Sequence, residues 1–283
     1  MILGLDFGST TTKIVLMDGT EIKYMNRIRK DESYIDVIKQ LDTDNIQTIA
    51  IVGAGASFID DDILGIPTKR VEEFQAVAVG GYFLSEKDEC MVVSLGTGTS
   101  FMYVNYNNRK HAGGSGIGGG LLSMLARERM PQMHLDDFME LANKGSLDKS
   151  DLLIKDISKE NIGELMGGVT VANMAKLTKE STPEDYAYGV CNMIFQNIGV
   201  MSVMADGPYQ TKTVVVMGTI TMTEICKKCL SGVGNLFGYE FIIPENSGYG
   251  VAIGAILLSD PNYDNEFTSV YPMNLDHLAY TIE

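Results

Sequence analysis

Near its start the chain reads LDFGSTTTKIVL, which places Asp6, Gly8, Ser9, Thr10, Thr11 and Lys13 in one short run. A carboxylate, small hydroxyl residues and an ammonium, set between two apolar stretches, are the parts of an anion cradle. Consecutive small residues let backbone N–H groups converge on an anion, and the hydroxyls add donors. Asp6 is placed to hold Mg²⁺ through water, because that ion gives up its waters reluctantly. Lys13 is placed to neutralise charge on a transferring phosphoryl group. The chemistry on offer is the binding of a nucleotide's terminal phosphates. The bland alternative is a hairpin with a polar tip, although a hairpin needs only two turn residues.

The pattern returns along the chain. SLGTGTS carries Gly96, Thr97, Gly98 and Thr99 between the apolar runs CMVV and FMYV. GGSGIGGG follows, with Ser115, Gly118, Gly119 and Gly120. It opens a helical stretch, where free N–H groups and the helix dipole favour an anion. VVVMGTITM then offers a strand that ends on Gly218 and small residues. Each motif alone is weak, but small-residue loops recurring at element ends favour nucleotide binding over unrelated turns.

The elements that position these loops alternate strand and helix. Residues 2–7, 12–17 and 21–28 read as strands, and 31–41 carry Ile35, Ile38 and Leu41 at helical spacing. IQTIAIVGAG reads as a buried strand ending in a glycine turn, and KRVEEFQAVAVGGYFLS as a helix. A helix is expected from about Leu121, short helices over 134–143 and 149–156, and a long one over 183–205 with Pro183 in its first turn. EFIIPENSGYGVAIGAILLS reads as a short strand, a loop and a small-residue helix. The repeated strand–loop–strand unit predicts an α/β protein of two similar halves, each turning a phosphate-facing hairpin toward a shared cleft. The last twenty or so residues show no assignable pattern.

The 283 residues suffice for two lobes, and a net charge of −15 weighs against nucleic acid and anionic membranes as partners. No apolar run is long enough to cross a bilayer and the start lacks a basic leader, so a cytoplasmic location is expected. Cys90, Cys191, Cys226 and Cys229 make a single C-x-x-C, too little for a disulfide framework or a structural zinc site. Reduced thiols packed in or near helices are expected.

Read in order, these motifs resemble the type II pantothenate kinases, the eukaryotic-like group that also occurs in bacteria, within the acetate and sugar kinase–Hsp70–actin superfamily. LDFGSTTTKIVL is similar to that family's D-x-G-G-T-x-x-K opening, and SLGTGTSFMYV to its G-[ST]-G-x-S segment. GGSGIGGGLLSML resembles its glycine loop and helix, and VEEFQAVAVGGYFL the helix that bears its catalytic glutamate. LANKGSLDKSDLLIKDI, QNIGVMSVMA, VVVMGTITM and SGYGVAIGAILL match in order and spacing. The chain departs at Ser9, where relatives commonly have a second glycine, and in the third loop, whose single hydroxyl is Ser115.

The resemblance implies two ribonuclease-H-like lobes of the actin-like ATPase kind with a nucleotide cleft between them. It divides them into 1–109 and 110–283, the second carrying dimerisation helices. It implies ATP and Mg²⁺, pantothenate as acceptor, 4′-phosphopantothenate as product at the first step of coenzyme A biosynthesis, CoA or acyl-CoA as a candidate feedback ligand, and a homodimer. By resemblance Glu73 is the general base. Glu72 is its rival, and adjacent helix residues point about 100° apart, so the two cannot serve equally. Ser115 and Arg127 are candidate substrate contacts, and MGTIT with Gly218 is expected to flank the adenosine. The long helix, with Met193, Ile194, Ile198, Met201 and Met204, is expected to supply core and dimer contacts.

Two other readings stay open. An ATPase activator of a 2-hydroxyacyl-CoA dehydratase, from the same superfamily, shares the GSTTTK opening. Such activators bridge subunits with an iron–sulfur cluster through a cysteine directly before the second loop, where this chain has Ser94. The Cys226/Cys229 pair keeps that reading alive. A non-catalytic actin-like nucleotide switch would need more insertions than this length easily holds.

Overall fold

The computed structural model describes residues 1–263 and the strand at 268–269; most of the unassigned C-terminal stretch lies outside the described residues. The chain opens with β1 (Ile2–Phe7), β2 (Thr11–Asp18) and β3 (Glu21–Arg29), then a short helix α1 (Tyr34–Ile38), β4 (Thr48–Val52), β5 (Thr68–Arg70) and helix α2 (Glu73–Ser85). The strands form one sheet in the order β3-β2-β1-β4-β5, with β1 antiparallel to β2 and parallel to β4. Every residue of β1 is buried because the sheet is covered on both faces. Alternation along β2 sends Ile14 and Leu16 to one face, with Ile38 of α1, and Val15 and Met17 to the other.

A second sheet begins with β6 (Glu89–Leu95), β7 (Thr99–Asn105) and β8 (Asn108–Ser115). Helices α3 (Gly119–Arg129), α4 (Leu135–Ala142) and α5 (Leu147–Ser150) follow, then β9 (Leu152–Leu153), α6 (Ile154–Ile157) and β10 (Thr170–Ala172). The long α7 (Pro183–Asp206) leads to β11 (Thr213–Met217), α8 (Glu224–Phe237), β12 (Glu240–Ile242), α9 (Gly250–Ser259) and β13 (Thr268–Ser269). The sheet order is β12-β11-β6-β7-β8-β13, with β6 antiparallel to β7 and parallel to β11. Setting β13 aside, the two sheets share one order and one set of pairing senses, which is the expected repeat. The boundary expected at 109/110 falls inside β8. The sheets change over instead between β5 and β6, across α2, and α9 returns to cover the first sheet.

Helix α2 is the layer between the sheets. Its Ala76 and Val79 pack with the first sheet and with Ala252, Ile253 and Ile256 of α9, while Val77 and Ala78 pack with Val92, Met102 and Val215 of the second. A helix apolar all round belongs in such an interior position. It touches α9 backbone to backbone: a Cβ on Gly254 would lie 1.9 Å from the Ala76 carbonyl oxygen. The other face of the second sheet packs Met91, Val93 and Phe101 with α3, α4, α7 and α8.

Three expectations are corrected. The helix over 31–41 shrinks to α1, whose N-cap Ser33 accepts from the Asp36 amide. The helix over 149–156 is broken into α5, β9 and α6. Asp151 is fully buried there and accepts from the Met174 amide, Asn192, Asn173 and Thr170, which holds its backbone extended. Gly113, Gly114 and Ser115 belong to β8, so the third loop is only 116–118. Along α7, Ile194 and Ile198 are core, whereas Met204 is 72 % exposed. No helix among the described residues is long and apolar enough to cross a membrane.

Candidate active site

The site is built where the first strands of the two halves end. In the β1–β2 hairpin Asp6 stands opposite Lys13 and Phe7 opposite Thr12, leaving 8–11 as the turn. Lys13 Nζ lies 3.0 Å from Asp6 Oδ2, and the Gly8 amide donates across the turn to the Thr11 carbonyl at 3.1 Å. In the β6–β7 hairpin Leu95 stands opposite Thr99, and the Gly96 amide donates to the Gly98 carbonyl at 2.9 Å. The turns meet: Ser9 Oγ and Thr97 Oγ1 are 2.5 Å apart. Both turns lie at the carboxyl ends of strands with a parallel neighbour, β1 beside β4 and β6 beside β11, where open α/β sheets hold ligands.

The third loop serves the second. The amides of Gly119 and Gly120 donate to the carbonyls of Gly96 and Thr97 at 2.8 and 2.9 Å, and Thr99 Oγ1 donates to the Ile117 carbonyl at 2.7 Å. These two amides at the start of α3, expected to be free for an anion, are therefore spent on bracing the second turn. Ser115 Oγ, at the end of β8, accepts from the Ile117 amide, and Gly118 is buried against Thr97 and Gly98. Gly218, at the end of β11, closes the floor beside them, its amide donating to the Ser247 carbonyl at 3.0 Å.

The start of α2 separates the two rival glutamates. Glu72 is the N-cap, and its carboxylate accepts from the amides of Phe74 and Gln75 at 3.0 and 2.8 Å. That satisfies orphan donors of the first turn and occupies both oxygens. The Glu73 carboxylate makes no hydrogen bond or ion pair with the described residues and remains open to solvent. Its pKa lies above the ordinary 4.5, first through partial desolvation in the cleft, then through repulsion by Asp6 and Glu72; Lys13 opposes the shift. An accessible carboxylate within the field of Asp6 and Lys13, with its proton affinity raised, suits a general base.

Basic and aromatic side chains pack against the first turn of α2. Alternation along β8 turns Arg109 and His111 toward α2, and Lys110 the other way, over the Tyr209 ring. Arg109 is 4 % exposed; its Nη1 donates to Gln75 Oε1 at 3.0 Å, and burial lowers its pKa to about 10. The His111 ring lies 4.5 Å from that of Phe74, centroid to centroid, and burial lowers its pKa. Neither residue was singled out above; the period-2 pattern of NRKHA was the available signal. Arg127 is exposed, and its Nε donates to the Ser123 carbonyl of its own helix. Among the described residues no hydrogen bond or ion pair joins it to the three loops.

Among the described residues no group of three or more His, Cys, Asp or Glu gathers as a metal cage. A nearly buried Asp6 beside hydroxyl-bearing turns fits an ion that keeps most of its waters, as Mg²⁺ does. All four cysteines are buried. Burial pushes the thiols of Cys90 and Cys229 up to about 12 and raises Cys191 and Cys226 as well. Cys90 sits on β6 behind the second turn, so no cysteine is presented at the surface to bridge subunits.

Two lobes of one topology, with their first hairpins meeting over a cleft, make the two-lobed ribonuclease-H-like architecture of actin-like ATPases. The chain belongs to the Fumble family, whose model matches residues 88–258. It is similar to the type II pantothenate kinase of Staphylococcus epidermidis, 26 % identical over 268 residues that cover 91 % of this chain and 100 % of that protein. It is also similar to the type II pantothenate kinase of Staphylococcus saprophyticus, 28 % identical over 269 residues and covering 91 % and 100 %. Among solved structures it is similar to the activator of the 2-hydroxyisocaproyl-CoA dehydratase from Clostridium difficile with bound ADPNP. That match has a TM-score of 0.64 at 15 % identity, covers 91 % and 93 % of the two chains, and speaks for the fold alone.

Proposed function

We propose that the chain is an ATP-dependent pantothenate kinase. The carrying observation is Glu73, an unengaged carboxylate of raised pKa beside the Asp6–Lys13 pair. Transfer of a phosphoryl group to an alcohol needs alignment, charge neutralisation and a proton acceptor. Glu73 takes the proton of the primary hydroxyl as that oxygen bonds to the γ-phosphorus, and the bond from phosphorus to the β,γ-bridging oxygen breaks, releasing ADP and 4′-phosphopantothenate. Lys13 balances charge on the group in flight, and the two turns hold the phosphates. Mg²⁺, held through water by Asp6, would neutralise phosphate charge when bound. The names of the staphylococcal relatives support the acceptor, and the engagement of two α3 amides by the second turn favours the turns themselves as the phosphate contacts.

Full-length protein, ATP, Mg²⁺ and labelled pantothenate test this, with glycerol, acetate and hexoses as controls. Label in 4′-phosphopantothenate is the expected result. Phosphate on a hexose or acetate but not on pantothenate, or ATP hydrolysis with no acceptor phosphorylated, would overturn it. CoA and acetyl-CoA added to the same assay test the feedback ligand. A cytoplasmic homodimer belongs to the same proposal. Support for the dimer comes from Ile157, Met166 and Val171, exposed by 56, 69 and 48 % around β10; a monomer at micromolar concentration in light scattering would count against it.

A further inference from the structure

Ser9 is where the first turn departs from the glycine of the resembled family, and its hydroxyl is the atom that reaches the other lobe. We propose that Ser9 and Thr97 work as one hydrogen-bonded unit that presents a single polarised O–H to the terminal phosphoryl group of ATP, so that closure of the lobes depends on that group. The proposal rests on the nucleotide reading of the cleft given above.

The chemistry follows from counting protons. Two hydroxyl oxygens 2.5 Å apart hold one proton between them, and the second proton is left to donate outward. A hydroxyl that donates to a neighbour which itself donates onward is part of a cooperative chain, so the outward O–H is strengthened. Donation to an anionic oxygen is roughly twice as strong as donation to a neutral one. Both hydroxyls are solvent-exposed and hence reachable. Each sits on a braced turn: Gly8 ties the first, and the amides of Gly119 and Gly120 tie the second. The pair joins residues 88 positions apart on separate sheets, beside the Asp6–Lys13 pair and so at the end of the cleft where transfer takes place. Losing either hydroxyl therefore removes both a donor and a lobe-to-lobe contact in one step.

The alternative, a contact that only pins the lobes, predicts a different pattern. Binding of ADP and of a non-hydrolysable ATP analogue is measured by calorimetry with Mg²⁺ for wild type, Ser9→Ala, Ser9→Gly, Thr97→Val, Thr97→Ser and the Ser9→Ala/Thr97→Val double variant. Expected is about a tenfold loss for the analogue in Ser9→Ala, Ser9→Gly and Thr97→Val, the size of a charge-assisted hydrogen bond, with ADP within about twofold. The double variant is expected to bind no worse than the poorer single one, and Thr97→Ser to bind as wild type does. Equal weakening of ADP and analogue, multiplicative losses in the double variant, a Thr97→Ser as weak as Thr97→Val, or no change at all would each overturn the proposal. Wild type is assayed with pantothenate alongside. Failure to phosphorylate it would sink the function proposed above while leaving the hydroxyl unit to be decided by the binding data.

Discussion

The two hairpins that meet in the cleft are built on one plan and carry different chemistry. In the first, the pair one step back from the turn is Asp6 and Lys13; in the second, the same register holds Ser94 and Ser100. The parallel neighbour of each leading strand also ends alike, in Gly53 with φ 90° and in Gly218 with φ 131°, each starting a 3₁₀ turn. The repeat thus preserves shape where the backbone demands it and lets charge diverge, with an ion pair in the first hairpin where the second has two serines. The second lobe spends its differences on support: α3 amides brace its turn, whereas the first turn is held by its own cross-turn bond and by the Ser9–Thr97 contact.

The sharpest way to break this division is at α2, which belongs to both lobes. Glu73→Gln should lower turnover by about a hundredfold to ten-thousandfold with ATP binding nearly intact. Glu72→Ala should instead cost about 0.5–2 kcal/mol of stability, as a lost cap, and change turnover little. If Glu72→Ala is crippled and Glu73→Gln is not, the roles are exchanged. The raised pKa of Glu73 adds two signatures. The acid limb of the rate profile should fall at a midpoint above 4.5. The stability this group contributes is fully present below its unfolded value and lost as pH rises through the raised folded value. Ionised Glu73 therefore burdens the fold at neutral pH, and Glu73→Gln should melt higher than wild type at pH 7, with the gap closing toward pH 4.5.

Next in size is the charged pair of the first hairpin. Lys13→Ala should lower phosphoryl transfer by about a hundredfold, as for loss of a preorganised charge at the transferring group, while adenosine binding holds. Unchanged kinetics would return the opening run to a plain hairpin.

The comparison also shows why some features were legible in the sequence and others were not. Turns and leading strands were readable because small residues and apolar runs act locally, and LDFGSTTTKIVL and VSLGTGTSFMYV fold as their patterns say. The division between Glu72 and Glu73 needed the first residue of α2, which a one-residue shift would have exchanged. The broken helix at 149–156 is decided by Asn173, Met174 and Asn192, far along the chain, through the buried Asp151. Arg109 and His111 meet α2 from β8, a strand whose closing glycines had disguised its end as loop. Arg127 was named for its place at the end of the helix after the third loop, and there it donates to the Ser123 carbonyl of that helix.

A smaller effect separates the paired glycines. Both adopt a backbone that L side chains rarely take, so Gly53→Ala should cost about 1–3 kcal/mol. Gly218→Ala should cost more, because its Cβ would lie 2.2 Å from the Leu95 carbonyl oxygen, against 2.7 Å from that of Phe7 at Gly53. Urea midpoints of the two variants rank them directly, and equal midpoints would show that the lobes yield alike.

The smallest effect is the most telling for the idea that the repeat divides labour. Ser94 and Ser100 occupy the register of Asp6 and Lys13, are partly exposed, and carry no charge to place on a phosphate. If the second hairpin contributes shape and the tip hydroxyl of Thr97, their side chains are dispensable. Ser94→Ala and Ser100→Ala should each stay within about 0.5 kcal/mol of wild type in stability, the range of surface substitutions away from special features. Their kcat and KM for ATP should change by less than about threefold. The first hairpin allows no such tolerance at the same register, since truncating Lys13 leaves the nearly buried Asp6 without its cation. A tenfold fall in kcat for Ser100→Ala would mean that the second hairpin also acts on the group in flight, and the asymmetry between the lobes would lie in their charge alone.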